Sequence, residues 1–261
     1  MNNALHDNLP SFAGRRALVT GAGGGIGRDL ALSLARHGAD VCVLDLSADA
    51  AEATAAEIRQ HGRRAAVLAH DMGSASVVGA IEAAAHEFGT FDLLVNNAGI
   101  SPKKPDGGKR MIWETPVDEW CQVIQVNLTG YFMAMRAVLP GMVGRRRGSI
   151  VNIGSLAGLR YSRIAGAAYA TAKQAVAGLT RQAAGEVAEF GIRINCVAPG
   201  RIETSMAAVA GDAFNEAIRK ETPLRRLGQP LDISNAALFL LSDQAGFITG
   251  ECLNVTGGRG L

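Results

Sequence analysis

The chain is poor in aromatic residues (5% Phe, Trp and Tyr), has only 8 prolines in 261 residues, and carries a formal net charge of just +2. Charge so close to neutral excludes the strongly basic class of nucleic-acid binders. No apolar run approaches the ~20 residues of a membrane-spanning helix, and residues 1–13 lack the apolar stretch of a secretory leader. No membrane partner is therefore expected, and the cytoplasm is the default location. The four cysteines (Cys42, Cys121, Cys196, Cys252) show no CxxC spacing; three lie in apolar, strand-like runs and read as buried free thiols. His, Cys and carboxylates gather nowhere at metal-ligand spacing, so no metal is expected. No linker or composition break divides the sequence. Residues 1–13 read as a tail and 14–261 as one domain, with a lid over about 205–230.

Glycine, in contrast, is abundant at 32 residues, without a collagen-like period. The apolar run 16–20 reads as a strand and leads directly into Gly21-Ala-Gly-Gly-Gly-Ile-Gly27, which opens an apolar-periodic helix. Strand, glycine turn and helix in that order point to a dinucleotide site. Gly21 permits the tight turn, Gly25 removes a side chain from the path of a pyrophosphate, and Gly27 lets helix and strand approach closely. The helix N-terminus then presents free N–H groups to the phosphates. The next strand, 40–45, ends on Asp45, 24 residues past Gly21, where an acid grips the adenosine ribose hydroxyls. A carboxylate there repels a 2′-phosphate, and no Lys or Arg occupies Gly24, Leu46 or Ser47. NAD is therefore favoured over NADP.

Strands at 65–69, 91–95, 149–153, 192–198 and 251–255 alternate with helical segments. That alternation predicts an α/β fold, a doubly wound parallel sheet with helices on both faces. Ligands of such sheets sit at the carboxyl ends of the strands. Asp45, Asp71 and the Asn96-Asn-Ala-Gly99 turn all fall on that edge, although Asp71 fits an ordinary helix cap equally well. A long helix is expected over 116–143, with Asn127 in its interior, and another over 166–190. In the latter Tyr169 and Lys173 stand four apart and share one face. Tyrosine, with a reference pKa of ~10, is a poor base. A fixed ammonium nearby lowers that pKa, and a drop of ~2 units takes roughly 2.7 kcal/mol.

In their order along residues 15–258, these motifs resemble the short-chain dehydrogenase/reductase family. The resemblance rests on Thr20-Gly-x-x-x-Gly-Ile-Gly27, Asn96-Asn-Ala-Gly99, Asn127, Ser155, Tyr169-x-x-x-Lys173, Pro199-Gly-x-Ile-x-Thr204 and Ile248-Thr-Gly. It implies that Tyr169 is the general acid and base, that Ser155 hydrogen-bonds the substrate oxygen, and that Lys173 lowers the Tyr169 pKa and binds the nicotinamide ribose. Asn127 would hold a relay water. Gly21, Gly25, Ile26 and Gly27 would face the pyrophosphate, and Asp45 with Leu46 the adenosine side. Asp71 and Met72 would line the adenine, and Asn97, Ala98 and Gly99 the adenosine ribose. Pro199, Gly200, Ile202 and Thr204 would hold the nicotinamide. A homotetramer is implied as well.

The sequence departs from the family pattern at the substrate side. Ser155 to Tyr169 spans 14 positions, and an insertion near 101–113 carries Lys103, Lys104, Lys109, Arg110 and Trp113. Trp113 reads as a packing anchor for that loop. Arg160 and Arg163 precede Tyr169, and Arg201 follows the nicotinamide turn. With Ser155, Arg163 and Arg201 are the expected substrate residues, holding a carboxylate or phosphate. The expected reaction is NAD-dependent oxidation of a secondary alcohol on a small polar metabolite such as a sugar, sugar acid or hydroxy acid. A 3-oxoacyl-thioester reductase of the same family is the alternative, and a catalytically silent nucleotide-binding protein is the non-enzymatic one.

Overall fold

Strands buried on both faces must be apolar at successive positions, because neither face meets water. The computed structural model, which describes residues 10–105, 107–204, 207 and 211–260, shows seven strands, the five central ones largely buried and the two edge strands partly exposed. They are β1 (Arg16–Thr20), β2 (Asp40–Asp45), β3 (Ala65–Ala69), β4 (Leu93–Asn96), β5 (Gly148–Ile153), β6 (Ile192–Pro199) and β7 (Cys252–Val255). They lie in the order β3-β2-β1-β4-β5-β6-β7, every pair parallel. Alternate residues feed two separate cores. Ala17, Val19, Val41, Val43, Leu93 and Val95 pack against α1 (Gly25–Arg36) and α2 (Ala48–Gln60) on one face. Leu18, Cys42, Leu44, Leu94 and Ile150 pack against α3 (Val77–Phe88) on the other.

Three further helices bring side chains to the site. The segment after β4 forms α4 (Val117–Ile124), one π-helical turn (Gln125–Thr129) and α5 (Gly130–Arg145). The single helix expected over 116–143 thus runs without a break from Val117 to Arg145, widened by one π turn that holds Asn127. Both ends of its amide are engaged by one backbone unit: Nδ2 donates to the Ile100 carbonyl at 2.9 Å and Oδ1 accepts from the Ile100 N–H at 2.8 Å. π-helical turns of this kind occur mostly as single-turn bulges inside α-helices. A short α6 (Leu156–Leu159) follows β5, and α7 (Ala167–Val187) lies against β5 and β6. Beyond β6 come α8 (Asp212–Glu221) and α9 (Pro230–Leu241). The proposed lid 205–230 thus includes a helix, while residues 205, 206 and 208–210 lie outside the described residues. Phe12, within the stretch read as a tail, is fully buried in the α1 core.

The chain leaves β1 outward to β2 and β3, then returns to place β4 on the opposite side of β1. A crevice at such a reversal is where ligands bind. No helix among the described residues is long and apolar enough to cross a membrane. Leu94 sits at 0% exposure in the middle of β4. We expect Leu94→Ala to cost about 2–5 kcal/mol, measured by urea unfolding, without change in the far-ultraviolet dichroism of the folded form.

Candidate active site

The turn after β1 is built around a close approach that only glycine allows. A Cβ on Gly27 would lie 2.1 Å from the Gly21 carbonyl oxygen, and Gly21 itself has φ +62°. Thr20 and Asn97 tie this turn to β4. Thr20 Oγ1 accepts from the N–H groups of Asn97 (2.9 Å) and Ala98 (3.1 Å), while Asn97 Nδ2 donates to the Thr20 and Gly21 carbonyls. Gly24 has open space around it, and Gly25 faces the Thr204 side chain across the crevice. At the end of β2, Asp45 accepts from the N–H groups of Gly23 (2.8 Å) and Ser47 (3.0 Å), and Leu46 beside it is exposed. Asp71 is exposed and accepts from the Gly73 N–H at 2.7 Å, while the Met72 side chain is buried in the α3 core. Pro199 ends β6, Gly200 lies against the Thr256 backbone, and Ile202 is buried beside Gly228.

Ser155, Tyr169 and Lys173 line one cleft of about 330 Å³ with Ile26, Asn97, Gly99, Pro199, Gly200, Ile202 and Thr204. Ser155 caps α6, its hydroxyl accepting from the Ala157 N–H at 3.1 Å. Tyr169 stands in the first turn of α7 and Lys173 one turn further on, as the four-residue spacing predicts. The Lys173 ammonium takes its hydrogen bonds from groups other than Tyr169. Lys173 Nζ donates to the Ile153 carbonyl (2.7 Å) and to Tyr131 Oη (2.9 Å), and lies 5.9 Å from the Tyr169 ring centre. Burial raises the Tyr169 pKa, with the Ser155 hydroxyl pulling the other way. Burial also lowers Lys173, at 4% exposure, to about 8. Asn127 Oδ1 and Lys173 Nζ flank Gly99, each close to where its Cβ would stand. Tyr131 was missed by the sequence reading, although it follows Asn127 by four residues and so shares its side of the helix.

The cations divide differently from expectation. Arg163 is exposed, lies outside the cleft and is ion-paired with Glu221. Arg201 does line the cleft, but it donates to Asn215 Oδ1 (3.0 Å) and the Ala207 carbonyl (2.7 Å), which fixes its direction. Lys103 and Arg160 also line it, as does Arg259, which the sequence reading did not single out. Lys104 is paired with Glu114 and Arg110 with Glu119, and Lys109 Nζ donates to the Ser162 carbonyl at 2.7 Å. Trp113 is 77% exposed and anchors no packing, because the short turn that carries it projects into solvent. Among the described residues the cleft lining contains no carboxylate.

A family model described as enoyl-(acyl carrier protein) reductase matches residues 21–259. The 3-oxoacyl-[acyl-carrier-protein] reductase FabG of Vibrio cholerae is 39% identical over 248 residues, 95% of this chain and 98% of that protein. This chain belongs to the short-chain dehydrogenase/reductase family. A second relative of this dehydrogenase/reductase is (2S)-[(R)-hydroxy(phenyl)methyl]succinyl-CoA dehydrogenase subunit BbsD of Thauera aromatica, 39% identical over 95% of this chain and 97% of that one. Among solved structures, a 3-oxoacyl-[acyl-carrier protein] reductase from Brucella melitensis with bound NAD superimposes with a TM-score of 0.91 at 40% identity, covering 100% of this chain and 97% of that one. The chain is therefore an oxidoreductase that works with a nicotinamide dinucleotide. The glycine turn fits such a cofactor, since a Cβ is excluded at Gly27 and space is open at Gly24.

The buried ammonium has a consequence for stability. Between about 8 and its ordinary 10.5, Lys173 is more protonated in the unfolded chain than in the folded one, so folding stability rises with pH across that window. Lys173→Met lacks this dependence. The unfolding free energy of the unaltered protein, measured in urea at stepped pH, should gain on that of the variant from pH 8 to 10.5.

Proposed function

We propose that this enzyme interconverts a 3-oxoacyl thioester and the corresponding 3-hydroxyacyl thioester with NAD(H). The observation that carries this reading is the cleft beside Ser155 and Tyr169, whose wall combines an apolar lining with cations and, among the described residues, no carboxylate. Leu156, Ile164, Ala165 and Ala207 offer the apolar part, and Lys103, Arg160, Arg201 and Arg259 the cations. An acyl chain matches the first, and the phosphate of a phosphopantetheine arm or a carboxylate on the acyl group matches the second. The names of the relatives from Vibrio cholerae and Thauera aromatica support a thioester over the sugar-acid substrate expected from the sequence.

When bound, the nicotinamide would supply or accept the hydride. Tyr169 donates its phenolic proton to the carbonyl oxygen in reduction and recovers it in oxidation. Its raised pKa keeps it protonated near neutrality, the form that reduction requires. The Ser155 hydroxyl donates to the same oxygen and stabilises the charge that develops there. Asn127 holds a relay water near Lys173. Gly21, Gly25, Ile26 and Gly27 receive the pyrophosphate, Leu46, Asp71, Met72, Asn97, Ala98 and Gly99 the adenosine half, and Pro199, Gly200, Ile202 and Thr204 the nicotinamide. Asp45 accepts from the ribose hydroxyls and disfavours a 2′-phosphate, which makes NAD the preferred form. A cytoplasmic homotetramer with a lid over 205–230 completes the proposal.

Nicotinamide absorbance at 340 nm, followed against 3-oxoacyl-CoA, sugar acids and hydroxy acids, tests the substrate. Preferred turnover of the thioester supports the reading, and preferred turnover of a sugar acid overturns it. Tyr169→Phe should reduce kcat by ~10²–10⁴. Asp45→Ala should move the NAD to NADP preference about tenfold toward NADP, the equivalent of ~1.4 kcal/mol.

A further inference from the structure

We propose that Tyr131 is a positioning residue for catalysis, fixing the place and charge of the Lys173 ammonium from beneath the cleft. The inference rests on the reading of Lys173 as part of the catalytic group. Tyr131 is fully buried in the first turn of α5, in a small cluster with Val176 and Cys196. Its hydroxyl accepts from Lys173 Nζ at 2.9 Å and donates to the Ile153 carbonyl at 3.1 Å. The same carbonyl accepts from Nζ at 2.7 Å, closing a triangle of ammonium, phenol and main-chain oxygen. The ammonium also lies 4.8 Å from the centre of the Tyr131 ring, within reach of its negative face. An ammonium has three donors. Two are held by this triangle, and Gly99 and Tyr169 lie near the same nitrogen, with Asn127 beside Gly99.

A purely apolar residue fills space as well as tyrosine does, but it supplies no oxygen to a charge that has left water. The Tyr131 main chain is itself pinned, since its carbonyl accepts from Asn96 Nδ2 at 3.3 Å, and Asn96 is bonded to Asn152. The hydroxyl therefore has little freedom to leave Lys173. The titratable groups that face the ammonium are Tyr169 on its own helix, Tyr131 on α5 and Cys196 on β6. The Cys196 thiol is kept neutral by its contact with Cys252 and by burial, and burial keeps Tyr131 protonated. Asn127 Oδ1 and the Ile153 carbonyl are the uncharged partners nearby. Nothing anionic around Lys173 replaces the phenol when it is removed.

The experiment measures kcat and KM across pH 6–10 for the unaltered enzyme, Tyr131→Phe, Val176→Ala and Lys173→Ala, with thermal midpoints for each. Tyr131→Phe keeps the ring and deletes only the oxygen. It should lower kcat about tenfold with KM for the thioester within about twofold, and move the alkaline limb of the profile roughly one pH unit lower, as loss of a hydrogen bond to a charge predicts. Val176→Ala, a packing change in the same cluster, should lower the thermal midpoint and leave that limb in place. If Tyr131→Phe does not fold, 3-fluorotyrosine placed at 131, a weaker acceptor of the same shape, should shift the limb in the same direction. An unmoved limb in the Tyr131 variants, with Lys173→Ala inactive, overturns the role of Tyr131 and keeps the catalytic lysine. Full activity in Lys173→Ala overturns both.

Discussion

An ammonium group taken out of water has to be repaid by fixed oxygens, and much of this enzyme's active side is arranged around that need at Lys173. Its donors reach Ile153 on β5 and Tyr131 on α5, so three elements must meet within hydrogen-bond distance of one nitrogen. α7 can come close enough because its inner face is small: Ala168, Ala172, Val176, Ala177, Thr180 and Ala184 are buried along it. α6 comes closer still, since a Cβ on Gly158 would lie 2.6 Å from the Gln174 main-chain nitrogen. The close contact and the buried charge are two aspects of one arrangement. Loosening the helix would admit water and remove the reason for the oxygens.

The opposite wall of the crevice obeys a different constraint, the near contact of Gly27 with the Gly21 carbonyl. Thr20 and Asn97 extend it across the sheet, so that the turn after β1 and the turn after β4 form one rigid corner. The topology explains why the corner lies there, since β1 and β4 are the neighbours between which the chain reverses its winding. The glycine turn and α7 are then brought together through β4 and β5, whose Asn96 and Asn152 pair in register and bond to each other at 2.9 Å. Asn152 in turn donates to Thr180 on α7 at 3.0 Å. A buried polar chain thus couples the turn after β4 to α7 through the sheet.

The substrate side shows how charge in a sequence is reassigned by folding. Among Lys103, Lys104, Lys109, Arg110, Arg160, Arg163 and Arg201, nothing local distinguishes a cleft residue from a solvated one. Folding pairs Lys104, Arg110 and Arg163 with Glu114, Glu119 and Glu221, and turns Lys103, Arg160 and Arg201 to the cleft with Arg259 from the far end of the chain. Those glutamates stand 9 to 58 residues away in sequence, beyond the range of any spacing rule. The exposure of Trp113 has the same origin, since whether an aromatic is covered depends on which segments lie over it.

By itself the sequence determined the elements whose period and punctuation are local. The strand, glycine turn and helix at 16–36, the i to i+4 pair Tyr169 and Lys173, Asp45 at the end of β2 and the parallel winding of the sheet all follow from neighbours within a few turns or from strict alternation. Only the tertiary structure decided what lies beside those elements. It widened the helix by a π turn at Asn127, whose side chain meets Ile100, directed the Lys173 ammonium to Tyr131 and Ile153, raised the Tyr169 pKa by burial, and drew Arg259 to the cleft. Each of these depends on distance across the sheet or on exclusion of water. Neither quantity is defined until the segments have packed.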